Sequence, residues 1–290
     1  MITPTANTGP RPPSTAPELG PVSDSRRGWT LALTSIAFFM VALDALSVTT
    51  ALPAIQRDLK ASVSTLGWTV NAYNLTYAAG TITAAALGDR LGRRRVFVAG
   101  LALFTAASAA CAAAPTVGSM LAARAAQGIG AATIMPLSLT ILTAAFPAQR
   151  RGAIIGAWGG IAGLAVAAGP LVGGAITQGI DWHWIFWINV PIGLAAIVLS
   201  LLRVSENHGS ASRLDRPGVA LVTAGAVSLV WGLVRANAAG WVSAEVAAAL
   251  ILGGGLIAAF LAWQRRAPEP MLPPRLFHSR AFVAANSTGF

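Results

Sequence analysis

Eight apolar stretches follow one another along this chain, each long enough to cross a hydrocarbon core, which takes about 20 helical residues. They run 29–52, 67–87, 96–114, 118–145, 152–178, 183–202, 217–236 and 244–263. A ninth begins at Ala281, and the sequence ends inside it at Phe290. In hydrocarbon every backbone N–H and C=O must be satisfied internally, so each stretch is predicted as a helix. The ten-residue alternating strands of a membrane barrel do not occur. The fold class expected is all-α and integral to a membrane.

Composition agrees. Of 290 residues, 55% are hydrophobic and 10% charged, against about 25% charged in a soluble domain. Such a chain has too few polar side chains to cover a water-facing surface. The single cysteine, Cys111, excludes an internal disulfide and a multi-cysteine metal site. His183, His208 and His278 lie far apart without ligand spacing, so no metal is expected. The segment before Trp29, rich in Pro, Ser and Thr, reads as a disordered tail. It is not expected to be a cleaved signal leader, because the apolar run after it is too long and no small-residue cleavage site follows.

The net charge of +10 would suggest nucleic-acid binding in a soluble protein. Here the charges sit in the gaps between spans and act as topology signals. With the N-terminus cytoplasmic, the inner segments hold Arg11, Arg26, Arg27, Arg90, Arg93, Arg94, Arg95, Arg150, Arg151, Arg203, Arg213, Arg216, Arg265, Arg266, Arg275 and Arg280. The outer segments hold Arg57, Lys60 and Arg235, and Arg124 falls in or near the fourth span. This asymmetry predicts a multi-pass protein with a cytoplasmic N-terminus, and no polar domain remains to bind nucleic acid.

An ionisable group inside a span is a functional candidate by default. Asp44 lies 15 residues into the first stretch, roughly 22 Å along a helix. No basic residue is within a helical turn of it in sequence. A carboxylate taken out of water can bind and release a proton during a working cycle. The alternative is an aspartate at the outer end of the span, since Pro53 is nine residues on. Arg124 either reaches an interface from a helix end or, with Gln127 one turn further in, tunes a neighbouring carboxylate. In the second span Asn71 and Asn74 share a face; with Tyr73 they are candidates to line a cavity, or they bond to neighbouring helices.

The fifth span carries glycine pairs at spacing four, Gly156/Gly160, Gly159/Gly163 and Gly169/Gly173, which let helices pack backbone to backbone. Pro170 removes a donor and is expected to kink this helix. Between the second and third spans, LGDRLGRRR combines Gly88 and Gly92 with Asp89 and four arginines, which suggests a tight turn with Asp89 paired to an arginine or capping a helix.

Together these segments resemble the major facilitator superfamily, in its fourteen-span drug:proton antiporter branch. The loop carries Asp89, Arg90, Gly92, Arg93 and Arg94 at the superfamily's signature positions, with Ala85 in place of the usual leading glycine. RAAQGIGAA, with Arg124, Gln127, Gly128 and Gly130, is similar to the fourth-span motif associated with proton transfer. AVAAGPLVGG, with Gly169, Pro170, Gly173 and Gly174, resembles the antiporter motif, with Ala165 in place of its first glycine. Leu43-Asp44 followed by Ala51-Leu52-Pro53 resembles the branch's first-span motif, with Thr49 where Asn is common. WHWIFWINVPIG, from Trp182 to Gly193, and PMLPPRLFHSRAF resemble its sixth-span opening and ninth-span approach.

The resemblance implies a tail over 1–28, a six-helix bundle over 29–203, two additional spans over 204–264, and a cytoplasmic loop and the start of a ninth span over 265–290. It implies a plasma-membrane transporter exporting small lipophilic or cationic compounds in exchange for protons. Gly88 to Arg94 would form a gating loop, and the proton gradient would replace any cofactor. Such a machine needs two bundles, so a C-terminal half or a second copy is an expected partner, besides the bilayer, the substrate and protons. A partial or inactive fragment is the alternative. A membrane-embedded enzyme lacks its tools: no His/Glu metal motif occurs, and Cys111 sits in an alanine-rich run with no base beside it in sequence. The sole lysine, Lys60, forms no phosphate-binding loop.

Overall fold

The computed structural model describes residues 24–209 and 215–267. The expected tail up to residue 23 and the expected ninth-span approach lie outside the described residues. The elements run α1 (Asp24–Asp58), α2 (Val63–Leu91), α3 (Arg93–Ala112), α4 (Val117–Ala145), α5 (Ala148–Gly179), α6 (Trp184–Trp187), α7 (Asn189–Arg203), α8 (Arg216–Ala239) and α9 (Ala244–Gln264). The first begins ahead of Trp29, so the charged Asp24 to Arg27 segment is already helical.

Among the described residues, seven helices are long and apolar enough to cross a membrane: α1, α3, α4, α5, α8, α9, and the continuous Trp184–Arg203 segment formed by α6 and α7. The second predicted span differs in kind. At 29 residues α2 has the length, but Thr65, Thr69, Asn71, Asn74, Thr76, Thr81 and Thr83 make it more polar than the rest. Its place explains the tolerance: it is packed along α4 on one side and meets α8 on another.

Connections between the spans from α1 to α6 are short, so these spans alternate in direction. Ser62 accepts from the Thr65 N–H to cap α2, and Thr116 with Ser119 forms a reciprocal capping box at the start of α4. Opposite ends are tied too: the Trp182 indole donates to Asp58 Oδ2 at 3.1 Å, fastening the segment before α6 to the end of α1. The His183 backbone N–H, with its ring, holds the neighbouring Asp181 carboxyl below the ordinary carboxylate range.

One core cluster gathers Leu33, Met40 and Val41 of α1, Phe97, Leu101 and Phe104 of α3, and Ile134, Leu137 and Ile141 of α4. A second lies toward the other end, around Val48, Ile55, Met120, Trp182 and Phe186. Lipid is as apolar as leucine, so helix association must come from close packing rather than from expulsion of water. The α3–α4 contact shows this. A Cβ on Gly130 would lie 2.7 Å from the Phe104 nitrogen and 2.9 Å from the Gly100 carbonyl oxygen, both backbone. The outward sides are different: Leu164, Val166 and Leu171 of α5 and Ile251 and Leu252 of α9 are all exposed, an apolar surface fit for lipid or another apolar partner.

Backbone cannot move aside as a side chain can. Gly130→Ala is therefore expected to destabilise the bundle by about 1–3 kcal/mol, read as a lower midpoint of heat-induced aggregation in detergent. Gly156→Ala, where nothing lies within 4 Å of the added carbon, should leave that midpoint unchanged.

Candidate functional site

Two charged side chains sit inside the bundle with almost no exposure: Asp44 at 1% and Arg124 at 0%. Neither side chain reaches an exposed surface. Instead Arg124 Nη1 donates to Asp44 Oδ2 at 2.7 Å, joining α4 to α1. The same guanidinium donates to Gln127 Oε1 at 2.6 Å and, through Nε, to the Thr69 carbonyl of α2 at 3.3 Å. Its face lies 4.2 Å from the centroid of the Tyr73 ring and 5.9 Å from that of Phe186.

The second carboxylate oxygen is equally well held. Asp44 Oδ1 accepts from Gln127 Nε2 at 2.9 Å and from Asn189 Nδ2 at 2.9 Å. Gln127 also donates to Ser108 Oγ of α3 at 2.7 Å, and Asn189 to the same oxygen at 3.4 Å. The Cys111 thiol completes the set, donating to Gln127 Oε1 at 3.7 Å. Every neighbour of the Asp44 oxygens is a donor. That is the environment of an ionised carboxylate, which only accepts. Protonation of Asp44 would remove the charge that matches Arg124 and place an O–H among N–H groups, and the cluster would then have to rearrange.

Of the residues singled out from sequence, Asp44, Arg124, Gln127 and Tyr73 come together here. Asn71 and Asn74 do not bond to this cluster; Asn71 is half-buried and Asn74 exposed. Asn189, Ser108 and the Thr69 carbonyl were not anticipated. Asn189 begins α7 directly after the junction at Ile188, inside the segment IFWINVPIG, where a lone amide among apolar residues is the only sequence signal.

At the far end of α2 the loop motif forms a second assembly. Gly92 has φ 105°, a conformation suited to glycine, and its N–H bonds to the Gly88 carbonyl at 3.1 Å. Gly88 itself packs against Leu137 of α4. Arg93 donates to Asp89 Oδ1 through Nε at 2.8 Å, with Nη2 2.7 Å away. The role foreseen for Asp89 at the next helix start belongs to Glu206. Its carboxylate accepts from the Arg94 N–H at 2.9 Å and the Arg95 N–H at 3.2 Å, at the positive end of α3. Arg94 Nη1 in turn donates to the Val204 carbonyl at 3.2 Å. Arg90 is exposed in the last turn of α2.

The fifth-span glycines divide. A Cβ on Gly169 would meet Leu46 Cβ at 2.6 Å, and one on Gly173 would meet the Ser47 carbonyl oxygen at 2.8 Å. Ser47 Oγ donates to the Gly169 carbonyl at 3.1 Å across this contact. The other pairs, Gly156/Gly160 and Gly159/Gly163, and also Gly174, have nothing within reach of an added carbon. The helix runs unbroken through Pro170, which is exposed.

A charged pair buried among apolar spans is expensive and marks a functional candidate in a membrane protein. Comparison with known proteins agrees. The profile of the Major Facilitator Superfamily matches residues 34–265, and the chain belongs to that family. It is 38% identical over 256 residues to the tetracenomycin C resistance and export protein of Streptomyces glaucescens, covering 87% of this chain and 48% of the relative. It is 36% identical over 261 residues to the multidrug resistance protein Stp of Mycobacterium tuberculosis, covering 89% of this chain and 49% of Stp. The chain thus spans about half the length of the curated relatives it matches. A crystal structure of the peptide transporter POT with sulfate superimposes with a TM-score of 0.60 at 18% identity, covering 82% of this chain and 53% of that one, a likeness of fold. The protein is accordingly a multi-pass membrane protein of a transporter family.

Removing one partner of a buried pair strands the other. Asp44→Leu and Arg124→Met are each expected to destabilise the bundle by about 3–5 kcal/mol, and the double variant by clearly less than their sum. Unfolding titrations in detergent measure the cycle, and additive losses would show that the charges are uncoupled. Glu206→Ala should speed amide exchange at Arg94 and Arg95, by a loss of about 0.5–2 kcal/mol of capping. Unchanged protection in hydrogen–deuterium exchange would remove Glu206 from that role.

Proposed function

We propose that this chain forms the N-terminal bundle of a proton-coupled exporter of small lipophilic or cationic compounds, antibiotics among them, in the plasma membrane. The observation that carries the reading is the Asp44–Arg124–Gln127–Asn189 cluster: a carboxylate held ionised by three donors inside a bundle of this family. The names of its relatives, which include resistance and export proteins, support the class of cargo.

In this reading Asp44 carries the proton. While ionised, it locks α1 to α4 through Arg124 and to α7 through Asn189. Protonation weakens both links, and Arg124 turns to its remaining acceptors, Gln127 Oε1 and the Thr69 carbonyl. The change in α1 reaches α5 through the Gly169–Gly173 contact, and the glycine-lined stretch from Gly156 to Gly163 offers a smooth face to a moving partner. The Gly88–Arg94 loop with Glu206 acts as a latch at the cytoplasmic end, where the arginine distribution also places the N-terminus. Because alternating access requires a second bundle, the working transporter joins this one to a C-terminal half or a second copy.

In the intact transporter, Asp44→Asn should abolish gradient-driven export while leaving membrane insertion unchanged. Efflux of a fluorescent substrate from energised vesicles checks it, and wild-type export by that variant would sink the role of Asp44.

A further inference from the structure

Asp44 Oδ1 sits between two side-chain amides. Gln127 Nε2 and Asn189 Nδ2 each donate to it at 2.9 Å, and both also donate to Ser108 Oγ, at 2.7 Å and 3.4 Å. An amide carries a donor and an acceptor at opposite edges of one plane, so half a turn exchanges them in place. The two amides are held differently. Gln127 Oε1 accepts from Arg124 Nη1 at 2.6 Å and from the Cys111 thiol at 3.7 Å, so turning Gln127 would set N–H groups against a guanidinium. The bonds that hold Asn189 run through its nitrogen. Asn189 also borders a groove of about 480 Å³ along α1, which gives its amide room to turn.

Protonation of Asp44 reverses what its surroundings must supply. An ionised carboxylate only accepts, whereas a carboxylic acid also donates through its O–H. Oδ2 faces the permanently charged Arg124 guanidinium, so the proton settles on Oδ1, between the amides. Left as they are, both amides would meet that O–H with N–H groups. We infer that Asn189 turns its amide by half a turn when Asp44 takes up a proton, and that its carbonyl then accepts the new O–H. One O–H bond forms at Oδ1, and the hydrogen bond from Nδ2 to Oδ1 is exchanged for one from Oδ1 to the Asn189 carbonyl. Ser108, which accepts from both amides beforehand, can then donate its hydroxyl to the same carbonyl. Proton release reverses the sequence. The inference rests on the reading of Asp44 as proton carrier and supplies the cluster's second state. In that state the link from α1 to α7 is re-formed in the opposite sense, whereas the link to α4 has lost its charge.

Infrared difference spectroscopy of the whole chain in lipid nanodiscs, acid minus neutral, reads both partners. Asp44 should give a carboxylic-acid C=O band, assigned by its loss in Asp44→Asn. Asn189→Leu, similar in volume and without polar side-chain atoms, should move that band to higher frequency, as for a carboxyl that has lost a hydrogen bond. A second measurement needs no variant at position 189. With the asparagine side-chain carbonyls isotope-labelled, one of their bands should move to lower frequency on acidification, as a carbonyl does when it gains a hydrogen bond. That shift should be missing in Asp44→Asn. A labelled carbonyl unmoved by acid, or an Asp44 band unmoved by Asn189→Leu, overturns the proposal. So does an Asp44 that gives no acid band over the pH range in which the chain stays folded. The two readings fail separately. Normal export by Asp44→Asn removes Asp44 from transport and leaves the infrared shifts standing, whereas export lost in that variant, with no shift at asparagine, removes the turning amide alone.

Discussion

A carboxylate and a guanidinium cannot be buried separately in an apolar bundle, and the arrangement of this chain follows from their being buried together. Each ion alone would lose several kcal/mol of hydration. Held at 2.7 Å, with both carboxylate oxygens and the Nε and Nη1 groups of the guanidinium engaged, the pair becomes tolerable, but only in one register of α1 against α4. Gln127, one turn beyond Arg124, brings in Ser108 of α3; Asn189 brings in α7; the Thr69 carbonyl brings in α2. Five helices are thereby referred to a single point. That matters in a membrane, where apolar faces slide over one another without much preference and polar contacts and close-packed glycines must supply the register.

Much of this was legible in the sequence because hydrocarbon imposes simple rules. Span positions follow from the length of apolar runs, and all eight stretches are helical in the structure. Asp44 and Arg124 stand out as charges where charges are expensive. That they meet is not written locally: they are 80 residues apart, and only the packing of α1 on α4 brings them together. Asn189 and Ser108 were passed over because a single amide or hydroxyl in an apolar run satisfies itself on its own helix as easily as on a neighbour. Glu206 was hidden for another reason. It lies in a segment without periodicity, and its value comes from α3 starting beside it rather than from its own surroundings.

The glycine spacing illustrates the limit of pattern reading. Three pairs in the fifth span obey the same rule, and one of them, Gly169/Gly173, is closed on α1 among the described residues. A spacing of four identifies a face that permits close approach, but the partner must come from elsewhere in the fold. In α2 the reverse holds. Its threonines and asparagines lower its apolarity below that of the other spans, and Thr76 shows what they do: its hydroxyl bonds across to the Ala125 carbonyl of α4 at 2.8 Å.

Coupling and recognition make opposite demands on polar groups, and the bundle separates them. Within the ion-pair cluster the amide hydrogens of Gln127 and Asn189 are engaged and both oxygens of Asp44 are taken. A cluster so complete holds one conformation well and has little to offer a ligand. Any compound that reaches it has to displace a donor, and the longest of its amide bonds is the 3.4 Å contact from Asn189 to Ser108. Asn189 is also the member that borders the groove along α1. On the proposed reading, a ligand that draws the Asn189 amide away leaves Asp44 with one donor fewer. Under that reading, cargo and proton would communicate through a neutral amide rather than by direct contact.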